Sequence, residues 1–242
     1  MIDLNEFSSF FVANWKLNGD FKFINDFLSK IEIKSKNKNC VIICPPSVYL
    51  NYFLKKNKLY HIGAQDVSMY EKGSYTGEIS PKNLKDVGAE FCIVGHSERR
   101  QYFNETDEKI KIKISNLINN KIVPILCIGE TQMERELNLT NKILKNQIIN
   151  GLPKNSNHTN TILAYEPIWA IGSGSTPSVD EIESIHTFIR SIEDKFKNFI
   201  ILYGGSLNIQ NYKSILNINN VNGGLIGGSS LKIDDFNKIM SI

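Results

Sequence analysis

The sequence is poor in the residues that usually declare a specialised class. Its 242 residues include only four cysteines and four histidines. No apolar run approaches the ~18 residues that cross a bilayer, so no membrane partner is expected. No excess of one charge exists either: 28 Lys and Arg stand against 25 Asp and Glu, for a net charge of +3. That weak basic balance argues for no nucleic-acid partner. No repeat, linker or low-complexity stretch interrupts the chain. No cluster of metal ligands is visible, so no metal is expected.

The cysteines do not suggest a disulfide scaffold. Cys40 and Cys44 share one apolar run, and on a strand they would stand about 13 Å apart. A disulfide needs Cα atoms within about 7 Å. All four thiols therefore read as buried and reduced. The first eleven residues carry Asp3 and Glu6 ahead of a short apolar run, where a secretory signal would carry basic residues. Both features lead us to expect a cytoplasmic protein.

The composition is otherwise that of an ordinary globular chain, 41% hydrophobic and 22% charged. Eight short apolar runs are candidate strands: 10–14, 40–44, 61–65, 91–95, 124–128, 162–166, 199–203 and 221–226. They are continuous and not alternating, as parallel strands covered on both faces are. The fifth is taken to begin at Pro124, because proline does not fit inside a central strand. Helical stripes lie between the runs. Ile110, Ile114, Leu117 and Ile118 form one. Val179 to Ile192 forms another, opened by a capping box at Ser178–Glu181. The stretch 133–150 is a third candidate helix. Eight strand–helix units in 242 residues average about 30 residues each, the size of a βαβ repeat. The fold class is α/β, with one domain over 1–242. A (β/α)₈ barrel of eight parallel strands is the first architecture and a doubly wound open sheet the second.

In such a barrel, side chains at the C-terminal strand ends converge on one mouth. Asn14 and Lys16 follow the first run, His96 follows the fourth, and Glu166 closes the sixth. Glycine pairs at Gly204-Gly205 and Gly227-Gly228 follow the seventh and eighth. Their backbone N–H groups, ahead of helical patterns, suit a phosphate. Taken singly, each residue has a plainer explanation. A glutamate after a strand is usually a solvated end, a lone histidine is usually structural, and glycines serve turns. His61, His158 and His186 are read as structural, and Cys127 as packing.

Taken together, six motifs in register are specific. They are Ala13-Asn14-Trp15-Lys16; Gly63-Ala64-Gln65-Asp66 through Thr76-Gly77-Glu78-Ile79-Ser80; Val94-Gly95-His96-Ser97-Glu98-Arg99-Arg100; Cys127-Ile128-Gly129-Glu130-Thr131; Ala164-Tyr165-Glu166-Pro167-Ile168-Trp169-Ala170-Ile171-Gly172; and Tyr203-Gly204-Gly205-Ser206. Through them the chain resembles the triosephosphate isomerase family over its whole length. The resemblance implies a TIM barrel that interconverts dihydroxyacetone phosphate and D-glyceraldehyde 3-phosphate through an enediolate, without a cofactor. It implies Lys16, His96 and Glu166 as catalytic residues. It implies substrate contacts from Asn14, Lys16, Gly172, Ser206, Gly227 and Gly228, with Glu98 in support. Glu130 and Arg135 would make structural contacts near a lid that starts after Glu166 and hinges at Gly172-Ser173-Gly174. The loop Gln65–Ser80 would insert into a second copy to form a homodimer.

Departures from the family pattern are few. Leu17 stands where many relatives have methionine, Ser173 where threonine is usual, and Asn222 where aspartate is usual. Gly224 and Ser229 replace larger or apolar residues. Other readings remain at this stage: another phosphate-binding barrel isomerase, or a barrel without turnover that serves in binding.

Overall fold

Eight parallel strands pair in sequence order and the last returns to the first. They are β1 (Ser9–Asn14), β2 (Asn39–Cys44), β3 (His61–Ala64), β4 (Phe91–Val94), β5 (Val123–Ile128), β6 (Ile162–Tyr165), β7 (Ile200–Tyr203) and β8 (Gly223–Ile226). The structure is a computed structural model, and it describes residues 1–34, 37–54, 59–171 and 175–242. The sheet is thus a closed barrel and not the open alternative. Closure pairs every strand on both sides and leaves no free edge.

Successive side chains on a strand point to opposite faces. Phe10, Val12, Ile42, Phe91, Ile93, Ile125, Cys127, Ala164, Leu202 and Leu225 fill the barrel interior. Their neighbours Phe11, Ala13, Ile43, Val94, Leu126, Leu163 and Ile201 pack outward under the helices. Burial on both faces is why the strands read as unbroken apolar runs. A single turn at Leu4–Glu6, capped by Asp3, adds Leu4 to the inner cluster.

The helices form the outer layer. α1 (Phe21–Lys30) follows β1, α2 (Leu50–Leu54) follows β2, and α3 (Pro81–Asp86) follows β3. α4 (Ser97–Phe103) and α5 (Asp107–Asn119) follow β4; α6 (Gln132–Glu136) and α7 (Thr140–Gly151) follow β5. α8 (Val179–Ser191), α9 (Tyr212–Leu216) and α10 (Ile233–Met240) follow β6, β7 and β8. The two clear stripes face the core in part. Ile110, Ile114 and Leu117 are buried on α5, and Ile182 and Ile189 on α8. On the second stripe Ile185, Phe188 and Ile192 are half-buried, Val179 is exposed, and His186 is buried beside it. The Ser178–Glu181 capping box is formed. All four cysteines are buried and free.

Each strand shifts from expectation at one end by one or two residues, and two boundary differences have a clear local cause. The stretch 133–150 is not one helix but α6 and α7, broken where Asn138 takes φ +55°. Asparagine tolerates this left-handed conformation. The Leu139 N–H then closes on the Glu134 carbonyl at 2.8 Å, a Schellman-type stop. In the second case β5 starts one residue earlier than Pro124. Val123 donates to the Glu90 carbonyl beside β4, so the nitrogen of Pro124 faces the β6 side. The first β6 partner on that side lies opposite Ile125, so the missing N–H costs no ladder bond.

Candidate active site

The C-terminal strand ends gather around a cleft of about 340 Å³. Asn14, Lys16, His96 and Glu166 line one part of it, and Ser206, Gly227 and Gly228 another. The sequence-derived candidates therefore converge. Residues 172–174 lie outside the described residues, and the readings of Gly172 as a substrate contact and of Ser173 as a hinge lie there with them. Glu98 stands beside the cleft and reaches into it through Lys16.

Lys16 is held from three directions. Its backbone has φ +52°, uncommon for a residue with a side chain. Its N–H donates to the Asn14 side chain at 3.1 Å, and its carbonyl accepts from the Gln65 amide at 2.8 Å. Gln65 also donates to the Cys44 carbonyl at 2.8 Å, which ties the ends of β1, β2 and β3 together. The ammonium itself pairs with Glu98 at 2.6 Å. Gln65 received no role of its own in the sequence reading. The available signal was its position, a polar side chain just past a strand end, like Asn14, His96 and Glu166.

His96 caps the N-terminus of α4. The Glu98 backbone N–H donates to its Nδ1 at 3.2 Å, so Nδ1 is an acceptor and the ring proton sits on Nε2. The Glu98 carboxylate is farther from Nδ1, at 3.5 Å, and is already engaged by Lys16. Nε2 faces Glu166 Oε1 at 3.1 Å. Burial lowers the His96 pKa, but the attraction and hydrogen bond of Glu166 outweigh it, and the net direction is upward. A proton on Nδ1 would break the Glu98 bond, so this geometry carries the neutral ring.

Glu166 is 2% exposed and stands just past β6, which ends at Tyr165 and not at Glu166 as expected. Burial would raise its pKa. The hydrogen bond from the His96 Nε2–H, the Ser97 N–H at 3.2 Å and the Lys16 charge together hold it below the usual carboxylate range. Its backbone N–H donates to the Ile128 carbonyl at 2.7 Å. Gly129 makes this approach possible, because a Cβ there would stand 1.7 Å from the Glu166 carbonyl oxygen.

The glycine-rich end is open. A Cβ on Gly228 would meet nothing within 4 Å, and one on Gly227 would touch only the Lys16 side chain at 3.5 Å. Ser206 donates to the Ala170 carbonyl at 2.6 Å, joining the loop after β7 to the segment after β6. The arrangement offers a carboxylate and a neutral N–H donor facing each other, a fixed ammonium beside them, and an unobstructed loop backbone for an anion.

The triosephosphate isomerase family model matches residues 9–242. The chain belongs to the triosephosphate isomerase family. A triosephosphate isomerase of Mesomycoplasma hyorhinis is 39% identical over 238 residues, covering 96% of this chain and 97% of the relative. One of Alkaliphilus oremlandii is 42% identical over 236 residues, covering 93% and 95%. One of Buchnera aphidicola subsp. Cinara cedri is 41% identical over 245 residues, covering 96% of each.

In this triosephosphate isomerase family chain, Glu130 and Arg135 do make structural contacts beside the segment after Glu166. Glu130 accepts from Trp169 at 2.8 Å and from the Tyr165 hydroxyl at 3.2 Å. The Arg135 guanidinium lies 3.9 Å from the centre of the Trp169 ring and pairs with Glu181 at 2.6 Å. Among the described residues, no group of three or more His, Cys, Asp or Glu side chains could hold a metal ion.

Proposed function

We propose that this chain interconverts dihydroxyacetone phosphate and D-glyceraldehyde 3-phosphate, the triose step of glycolysis and gluconeogenesis. One observation carries the reading: Glu166, His96 and Lys16 share a cleft with the open glycine backbone after β8. Glu166 takes a proton from the carbon beside the carbonyl and returns it to the neighbouring carbon. The enediolate oxygens face the Nε2–H of His96, a donor whose proton affinity suits an enediolate better than a cation would. Lys16 supplies fixed positive charge for the anionic substrate and intermediate. Asn14 adds an amide, and it also shapes Lys16 through the 3.1 Å bond to the Lys16 N–H. Backbone N–H groups at Ser206, Gly227 and Gly228 receive the phosphate.

The active form in this reading is a homodimer, with residues 1–242 as one domain. The loop 65–80 carries Tyr70 and Tyr75 stacked face to face at 3.6 Å. A groove of about 490 Å³ flanks Lys16, Gln65, Tyr102 and Phe103. Around it Leu17 is 96% exposed and Phe103 63%. A second copy's loop fits this apolar rim and would complete the wall beside Lys16. The four buried thiols support a cytoplasmic home, and no described helix is long and apolar enough to cross a membrane.

A coupled assay in both directions tests the reaction. Interconversion of the two trioses is the expected result, and a folded protein without it would overturn the reading. Sedimentation read alongside activity on dilution tests the assembly: activity should fall as the dimer dissociates.

A further inference from the structure

The peptide that carries His96 into the cleft is held from both sides. Gly95 follows β4 with φ +69°, a conformation that glycine adopts without penalty. Its N–H donates to Glu105 Oε2 at 3.1 Å. Its carbonyl accepts from Arg100 Nε at 2.9 Å. The same guanidinium donates to the Cys127 carbonyl on β5 at 3.3 Å and pairs with Asp107 at 2.7 Å. One planar group thus ties the C-terminal ends of β4 and β5 and is itself aimed by the first residue of α5. Arg100 does not line the cleft, so it has no direct contact to offer a substrate there.

We propose that Arg100 is a positioning residue for His96. The imidazole is fixed at Nδ1 by the first turn of α4, through the Glu98 N–H. The remaining freedom lies where the chain turns from β4 into α4, at Gly95. Arg100 lies on that same α4 and reaches back to the Gly95 carbonyl, so strand end, histidine and helix form one closed loop of bonds. The Cys127 bond then sets that loop against β5, next to the strand whose end carries Glu166. Arg100 therefore fixes where Nε2–H points relative to Glu166. Lysine cannot replace it, because an ammonium lacks the flat fork that reaches two carbonyls and a carboxylate at once. An oxyanion donor works only within a few tenths of an ångström of its place, and a ~1 Å error costs about 10²-fold.

This inference rests on the role proposed for His96, and the two can fail separately. The experiment compares Arg100→Lys, Asp107→Asn and His96→Gln. Arg100→Lys should lower kcat roughly 10- to 100-fold. KM should stay within about twofold, as for a loss confined to the transition state. Inhibition by inorganic phosphate should be unchanged, because the loops after β7 and β8 are untouched. The ¹⁵N signals of the His96 ring should move. Asp107→Asn should shift kcat and those signals in the same direction by less, and it carries the test if Arg100→Lys does not fold. Unchanged kcat in a folded variant would overturn the proposal. So would parallel losses in kcat, KM and phosphate inhibition with His96 signals unmoved. A His96→Gln enzyme with near-normal kcat would remove the role of His96 itself, whatever Arg100 does.

Discussion

The Glu98 backbone N–H donates to Nδ1 of His96 at 3.2 Å, and the proton this leaves on Nε2 points at Glu166 Oε1, 3.1 Å away. The first turn of α4 thereby sets the tautomer of the ring across the cleft. It also makes Glu166 the acceptor of the pair, held ionised by its surroundings. Glu166→Gln removes the base and keeps the volume. Its kcat should fall by about 10²- to 10⁴-fold, the usual worth of a positioned general base. Inorganic phosphate should still inhibit with an unchanged constant, since its donors sit on other loops. Near-normal turnover would take the proton-transfer role away from Glu166.

Much of this site was legible in the sequence because a parallel barrel leaves a simple trace. Both faces of a strand are apolar, so Asn14, His96 and Glu166 stand out where the apolar runs stop. Relations between neighbouring strands left no such trace. Gln65 acts through its amide on the carbonyls of Lys16 and Cys44, and no spacing along the chain encodes a contact to two other strand ends. Arg100 is hidden for the same reason. The break at Asn138 was missed because apolar residues continue on both sides of it. Leu137 looks like part of a stripe, yet it is 61% exposed once the left-handed turn redirects the chain.

Gln65→Met should weaken the site without touching substrate. Methionine keeps the length but loses both donated bonds. Lys16 then has less to hold its left-handed backbone, a conformation that costs roughly 1–2 kcal/mol in a residue with a side chain. Relaxation would swing Nζ away from Glu98. We expect a raised KM for the phosphorylated substrate together with a lower kcat, and a stability loss of about 1–3 kcal/mol from the two unsatisfied carbonyls. Steady-state kinetics and urea unfolding measure both. Unaltered kinetics would show that Asn14 and Glu98 hold Lys16 in place without Gln65.

His186 gives a pH dependence to stability. It is fully buried on α8, its Nδ1–H donates to the Asn220 carbonyl at 3.1 Å, and Nε2 has no partner. Burial pushes its pKa down to about 4, against the Asn220 bond and with help from the Arg190 charge. Below the unfolded value of about 6.5, the unfolded chain takes up a proton that the native ring refuses. Stability should therefore fall as the pH drops from about 6.5 to 4, by roughly 3 kcal/mol from this residue, and level off below. His186→Phe should flatten that window in urea unfolding at fixed protein concentration. An identical slope in the variant would assign the acid loss elsewhere.

Asn222 stands where the family usually has aspartate, and it leaves Arg190 among neutral partners. The guanidinium donates to the carbonyls of Lys197, Phe199 and Asn220, and to Asn222 Oδ1 at 2.8 Å. The same oxygen accepts the Ile201 N–H at 2.9 Å. Burial lowers the Arg190 pKa. Two donors thus meet on one amide oxygen that carries no formal charge. Asn222→Asp would keep both bonds and make them charge-assisted, which typically raises a bond from about 1 kcal/mol to roughly 1.5–3 kcal/mol. Desolvation of the new carboxylate offsets part of this, so the net gain should be about 1 kcal/mol at neutral pH. That gain should be lost as the pH falls through the lowered pKa of the new aspartate. A double-mutant cycle with Arg190→Met isolates the pair, and the aspartate should stabilise only when the arginine is present. A gain that survives without Arg190 would place its origin at the Ile201 N–H, and no gain in either background would mean that burying the carboxylate costs as much as the pairing returns.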